Sequence, residues 1–375
     1  MRRKSPYIHD LQNWPTFRWD QNRLAGKLAN ARHQQGRLIG RMEALGFPLQ
    51  QEATLEALTE ETVKSSEIEG ETLNVAQVRS SIARRLGIDI AGTDVVDRRV
   101  EGVVEMMLDA TQNYEQALTS ERLFGWHASL FPAGRDGMRK LRVGAWRDDK
   151  TGPMQVVSGP IGRERVHFEA PSAERLNREM RSFLRWYNEG IGPSVADDVL
   201  TAGVAHLWFV TIHPFDDGNG RIARAIADMT LARSENSSQR FYSMSAQIRQ
   251  DRSDYYEILE RTQKGTLDVT AWMEWFLACL ARAIDSAETT LAAVLRKARF
   301  WQARGNVPIN DRQRLILNRL LDGFEGHLTT SKWAALAKCS SDTALRDILD
   351  LVDRGVLVRN LGGGRSTSYS LADCG

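Results

Sequence analysis

The sequence is poor in cysteine. Cys279, Cys339 and Cys374 are far apart in a chain of 375 residues and form no CxxC pair. That spacing excludes a disulfide framework and argues against a thiolate zinc site. A reducing, cytoplasmic setting is the expectation. An excess of one charge is also missing, since 50 Lys and Arg stand against 48 Asp and Glu. The whole chain therefore makes no electrostatic case for nucleic acid or an anionic membrane. Long hydrophobic runs are absent too. The basic start, MRRKSPYIHDLQNW, is not followed by the roughly 7–15 apolar residues of a signal peptide. No stretch approaches the ~18 apolar residues of a membrane span, so no membrane role is expected. What is present is 42% hydrophobic content, enough for two or three globular units.

The apolar residues recur at helical spacing along most of the chain, which predicts a mainly α fold. Helices are expected over about 20–46, stopped by Gly46 and Pro48, and over 53–69, closed by Gly70. Others are expected over 94–117, 120–130, 172–189, 195–211, 220–234, 253–265 and 269–304. The helix over 195–211 is apolar nearly all round and should lie at the centre of a helical core. Residues 143–171 break the pattern with Gly, Pro and short β-leaning runs. They read as a short hairpin with SGPIGRER at its tip, and a surface loop is the plainer alternative. GNVPIN at 305–310 reads as a linker. Beyond it, helices over 311–321, 331–338 and 342–354 precede two strands around a Gly-rich tip. Three helices and a hairpin make a winged helix-turn-helix pattern.

The stretch IHPFDDGNGR, 212–221, holds the strongest chemical signal. Asp-Gly and Asn-Gly are hairpin dipeptides, but no alternating apolar residues flank them. A buried helix ends just before them and RIARAIADMTLARS continues as another helix. Gly218, Asn219 and Gly220 therefore feed a helix N-terminus. Unpaired N–H groups and the helix dipole make that end an anion site, and glycine lets the backbone approach a ligand. Arg221 and Arg224 fall in the first turn, where cations oppose the dipole unless an anion sits there too. Asp217 could hold Mg²⁺ between phosphate oxygens. His213 titrates near neutral pH and suits a general base. Phe215 is expected to point inward as an anchor. Together these residues indicate nucleotide phosphate chemistry.

HPFDDGNGRIAR, 213–224, resembles the Fic-domain signature H-x-F-x-[D/E]-G-N-G-R-x-x-R at every defined position. The resemblance implies an all-α Fic catalytic core over 93–304 that transfers AMP from ATP to a Ser, Thr or Tyr hydroxyl of a target protein. In that reading His213 takes the hydroxyl proton and Asp217 holds Mg²⁺ on the phosphates. Gly218, Asn219 and Gly220 form the anion hole, and Arg221 and Arg224 hold the phosphates. The hairpin over 156–169 resembles the family's flap, which clamps the target as an added strand. DRSDYYEILER resembles the segment lining the nucleoside pocket, which implicates Tyr255 and Tyr256; two half-buried helix tyrosines are the plain alternative.

SSEIEGE, 65–71, crowds Glu67, Glu69 and Glu71 at a helix C-terminus, where acids oppose the dipole. A solvated acidic helix end is the plain reading. Ser65 to Gly70, however, matches the Fic inhibitory motif [S/T]-x-x-x-E-[G/N], upstream of the core as in relatives with an N-terminal brake. The implied brake is Glu69 pairing with Arg224, supported by Ser65 and Gly70, within an N-terminal helical region over 1–92. Some braked relatives also remove AMP, and both directions stay open.

The tail, 311–375, carries 9 Lys and Arg and 8 Asp and Glu. Its presumed recognition helix, DTALRDILDLVDR, has four Asp and two Arg, a poor match to phosphate-lined grooves. Only Arg359 and Arg365, in the wing, suit DNA. Protein contacts, homodimerisation or substrate docking are the favoured roles, with a DNA-binding regulator as the rival. The N-terminal aromatics Tyr7, Trp14, Phe17 and Trp19 are expected to pack across the helical core. They resemble an extension some Fic proteins carry, with no assigned role.

Overall fold

A computed structural model describes residues 7–88, 96–150, 152–160, 162–190, 197–305, 307–321, 324, 326–360 and 367–372. By its contacts the chain divides into two compact units, one ending at Ala287 and one starting at Glu288. Among the described residues, no helix is long and apolar enough to cross a membrane.

The first unit is helical. Its N-terminal part holds α1 (Gln21–Glu43), α2 (Phe47–Ile68) and α3 (Val75–Leu86). Asp20 caps α1 by accepting from the N–H groups of Asn22 and Arg23, and Leu24, Ala31, Leu38 and Met42 form its buried stripe. Pro48 does not merely stop the first helix. It lies in the first turn of α2, where a missing N–H costs nothing, so α2 begins at Phe47 rather than at 53. Next come α4 (Arg98–Gln112) and α5 (Ser120–Leu130); residues 94 and 95 of the expected longer helix lie outside the described residues. Two short hairpins follow: β1 (Arg135–Asp136) with β2 (Arg139–Lys140), and β3 (Gln155–Ser158) with β4 (Arg165–Glu169). The second is the expected hairpin. It is antiparallel, with a register irregularity between Val156 and Val157.

Helices α6 (Ala173–Glu189), α7 (Asp198–Ile212) and α8 (Asn219–Glu235) build the centre. As its apolar composition requires, α7 is buried from Val199 to Ile212 with the single half-buried exception of Thr201, and α8 packs along it. Two short helices, α9 (Met244–Gln250) and α10 (Arg252–Gln263), precede the long α11 (Thr270–Ala303). Of the N-terminal aromatics, Trp14 and Phe17 pack across the helical core as expected. Phe17 is buried, Trp14 and Phe17 both meet Trp208 of α7, and the Trp14 indole N–H donates to Glu179 at 2.8 Å.

The second unit contains α12 (Asp311–Leu321), α13 (Thr330–Leu336), α14 (Ser341–Asp353) and the antiparallel pair β5 (Leu357–Arg359) and β6 (Tyr369–Leu371). Ile316, Leu317, Trp333, Ile348 and Leu351 form its own core. The Gly-rich tip with Arg365, and Cys374, lie outside the described residues. Cys279 and Cys339 are free thiols.

Candidate active site

The loop between α7 and α8 is held from several sides. Phe215 is fully buried and stacks on His127 with ring centroids 4.2 Å apart. The Asn219 side chain closes the loop on itself, accepting from the Phe215 N–H at 2.9 Å and donating to the Phe215 carbonyl at 2.8 Å. Arg147, which the sequence did not single out, donates from Nε to the His213 carbonyl at 2.8 Å, and its own N–H donates to Pro214 at 2.9 Å. His213 sits in the left-handed region at φ 52, an unusual conformation for a non-glycine residue and one that clusters at functional sites.

The backbone then turns at Gly218, φ 76, into α8. The first intrahelical bond runs from the Ile222 N–H to the Gly218 carbonyl, so the N–H groups of 219–221 have no place in the helical ladder. The Asn219 side chain is committed to Phe215, which leaves its main-chain N–H as its means of meeting an anion. A side chain at Gly220 would have to displace the Glu69 carboxylate. A Cβ there would lie 2.2 Å from a Glu69 carboxylate oxygen and 3.2 Å from an Arg224 nitrogen.

His213 Nδ1 lies 3.2 Å from the Val210 carbonyl. That contact assigns the proton to Nδ1 and leaves Nε2 as the basic nitrogen. Burial pulls the imidazole pKa down to about 4, and Arg147 adds to the shift, so His213 is neutral at pH 7. Burial raises the Asp217 carboxyl, with Asp136 and Glu69 adding to it against the pull of the Gly218 N–H and Arg221. A single half-buried carboxylate that gains from a nearby cation, beside a helix end with free N–H groups, suits Mg²⁺. Among the described residues no group of three acids, histidines or cysteines could hold a metal alone, so such an ion would depend on substrate oxygens.

Arg221 and Arg224 are buried, and both meet the end of α2. Arg224 donates to Glu69 Oε1 at 2.8 Å, to the Ser65 hydroxyl at 2.9 Å and to the Ser65 carbonyl at 2.8 Å. The chain turns at Gly70, φ 87, and brings Glu71 back onto Arg221 at 2.8 Å. Glu71 has no counterpart in the inhibitory motif; its one sequence signal is its place in the acidic run. Burial disfavours the Arg224 charge, but the Glu69 carboxylate outweighs that and holds its pKa above the ordinary value. Arg221 Nε and the Arg224 Nη1 atom are buried without a partner. Two buried guanidinium groups with unused donors make a site fit for an anion.

A cavity of about 680 Å³ opens beside this loop, lined among others by His213, Gly220, Glu69, Tyr255 and Tyr256. Tyr255 is buried, with its hydroxyl 2.9 Å from His206 Nε2 in α7. Tyr256 is 40% exposed, and its hydroxyl donates to the Ile68 carbonyl at 3.4 Å. The structure thus brings both tyrosines to the cavity that His213 lines. The β3–β4 hairpin forms one wall through Val157, Ser158 and His167. It is tied to α10 by Glu260, which meets His167 Nδ1 at 2.6 Å and Arg165 at 3.2 Å.

Such a loop, with a neutral half-buried histidine before a glycine-lined helix N-terminus and its arginines, is chemically suited to a phosphate group. Residues 117–231 match the Fic/DOC family, so the chain carries a Fic domain. Residues 7–88 match a domain of unknown function, DUF4172. Relatives named protein adenylyltransferase Fic include one from Nematostella vectensis, 26% identical over 250 residues, covering 64% of this chain and 51% of the relative. Another, from Drosophila melanogaster, is 25% identical over 242 residues, covering 62% and 42%. The chain thus spans about half or less of the length of these curated relatives. A Fic family protein from Desulfovibrio desulfuricans shares the fold at TM-score 0.53 and 21% identity, over 93% of this chain and 97% of that one. A Fic-domain signaling protein from Bacteroides thetaiotaomicron does so at TM-score 0.50 and 21% identity, over 70% and 97%.

Proposed function

We propose that this protein is an autoinhibited protein adenylyltransferase, moving AMP from ATP to a Ser, Thr or Tyr hydroxyl of a target protein. The observation that carries the reading is the junction of His213, Asp217 and the open N-terminus of α8 with two buried arginines, each of which keeps one nitrogen without a partner. The nucleoside would occupy the cavity lined by Tyr255 and Tyr256, and the phosphates would meet the N–H groups of 219–221. Nε2 of neutral His213 takes the proton of the target hydroxyl. The hydroxyl oxygen bonds to the α-phosphorus, the α–β bridging bond breaks, and pyrophosphate leaves. Asp217 would hold Mg²⁺, which supplies charge neutralisation to the phosphates when bound. Arg221 and Arg224 hold the remaining phosphate charge once released from α2.

In the resting state Glu69 takes the place of a phosphate oxygen on Arg224. Its carboxylate would also occlude the space above Gly220. The target docks along the β3–β4 hairpin, where Val157 and Val166 are exposed, as an added strand. The 311–375 tail is read as a winged-helix module for protein contacts. Exposed Leu345 and Leu349 on α14 favour that role over DNA. The test is incubation of Glu69→Gly protein with α-labelled ATP and a cell lysate. Labelling should rise about 10–100-fold over the wild type, the worth of one charge-assisted hydrogen-bond partner at roughly 1.5–3 kcal/mol. Equal labelling by the two proteins would remove the brake from the reading, and no labelled product from either would remove the transfer.

A further inference from the structure

A second, smaller cavity of about 250 Å³ lies on the other side of the Glu71–Arg221 pair, walled by Phe131 and the start of α4. It is distinct from the cavity that holds His213, and the two share no lining residue. Four arginines line it: Arg98, Arg99, Arg135 and Arg221. The first three are exposed, and their side chains have no ion-pair or hydrogen-bond partner among the described residues. Arg221 is 3% exposed, lies over the Phe131 ring at 5.1 Å, and keeps a buried Nε without a partner. Of the three acids at the cavity, Glu71 is engaged by Arg221 and Asp97 caps α4 through the Arg99 N–H. Asp136 is the third.

Arg98 and Arg99 occupy the first turn of α4, where the helix dipole disfavours cations. Two arginines are thus kept at a position that costs stability, around a cavity that holds a third and a buried fourth. Local choices that oppose local stability are expected at functional sites. We propose that this cavity binds a phosphate group, either free phosphate or that of a small phosphate ester, and that its occupant competes with Glu71 for Arg221. Binding there would loosen the end of α2 from the helix that carries the signature. The competition half of the inference rests on the adenylyltransferase reading; the binding half does not.

Titration calorimetry on the full chain at constant ionic strength tests it, with inorganic phosphate in one arm and ribose 5-phosphate in the other. Saturable binding is expected, and the tighter of the two probes names the ligand source. Arg98→Ala with Arg135→Ala should weaken binding at least about tenfold, since two charged donors to the phosphate are lost. Both residues are exposed and unpartnered, so the double variant should fold like the wild type. Glu71→Gln should tighten binding by removing the competing carboxylate. No saturable binding of either probe, or equal affinity in the double variant, would overturn the site. Arg221 also serves the ATP phosphates in the transfer reading, so in the labelling assay the bound probe should lower transfer by the Glu69→Gly protein; unchanged transfer despite binding would overturn its claim on Arg221. Calorimetry needs no ATP, so failure of transfer and failure of this site are read separately.

Discussion

Two acidic helical stretches look alike in the sequence and differ in the structure. The end of α2 carries Glu67, Glu69 and Glu71; α14 carries Asp342, Asp347, Asp350 and Asp353. Each could be a solvated face. In α14, Asp347 pairs with Arg312 of α12 at 3.0 Å, and Asp350 pairs with Arg354 one turn on. Those partners lie within the same small unit and are about 40% exposed, so water can replace either acid. At α2, Glu67 pairs with half-buried Lys64 and exposed Arg249, but the partners of Glu71 and Glu69 are Arg221 and Arg224, 150 and 155 residues away and 3% and 2% exposed. Water reaches those guanidinium groups poorly. Without Glu69 and Glu71 they need another anion, and a phosphate is the natural substitute. Pair distance does not separate the two stretches. What separates them is what the arginine must do once the acid leaves.

The largest expected effect breaks the active side of this comparison. In the Glu69→Gly background, His213→Ala should cut labelling about 10²–10⁴-fold, the usual share of a general base. Unchanged labelling would mean that His213 is not the base and that the freed arginines serve some other reaction. The pH profile of the same background gives the next effect. Burial lowers the His213 pKa to about 4, so the neutral form persists below pH 6.5. Between pH 7 and 5.5 the rate should hold nearly constant as far as this group limits it. An unshifted imidazole would leave about a tenth of its base form at pH 5.5. An acid limb near 6.5 would show that His213 is solvated in the working state.

The signature itself is legible in sequence because it is contiguous. His213, Asp217, the glycines and both arginines fall within twelve residues, and the helix start between them follows from local pattern. The Glu69–Arg224 contact was legible only through the resemblance of Ser65–Gly70 to a motif, since no periodicity links residues so far apart. Glu71 and Arg147 were not legible. Glu71 reaches Arg221 through the turn at Gly70, and Arg147 braces the loop from a segment that reads as irregular. Among helices, those with long amphipathic or apolar runs came out within a few residues. The short α3 and α9 were missed, because seven to twelve residues give too few turns for a period to stand out. Pro48 shows the other limit: a proline marks a helix boundary without saying on which side the helix lies.

Glu71 sharpens the comparison by a smaller step. Glu71→Gln removes the charge from the second contact and leaves Glu69 on Arg224. Labelling should rise several-fold less than with Glu69→Gly, and the double variant should exceed either single one, because the two arginines act on one substrate. A double variant no more active than Glu69→Gly would reduce Glu71 to a structural contact.

The smallest effect is expected on the other side. Asp347→Asn keeps the shape of the side chain and its contact with Asn310, but removes the charge that faces Arg312. Arg312 can turn to solvent, so the loss should lower the melting temperature of the tail by a few degrees at most. Labelling by the Glu69→Gly protein should not change when Asp347→Asn is added. The outcome separates two kinds of acid that share a sequence appearance. An Asp whose arginine is free to hydrate supports its own unit and nothing more. Altered labelling would mean that the charge on α14 reaches the transfer reaction, and that the tail takes part in presenting the target.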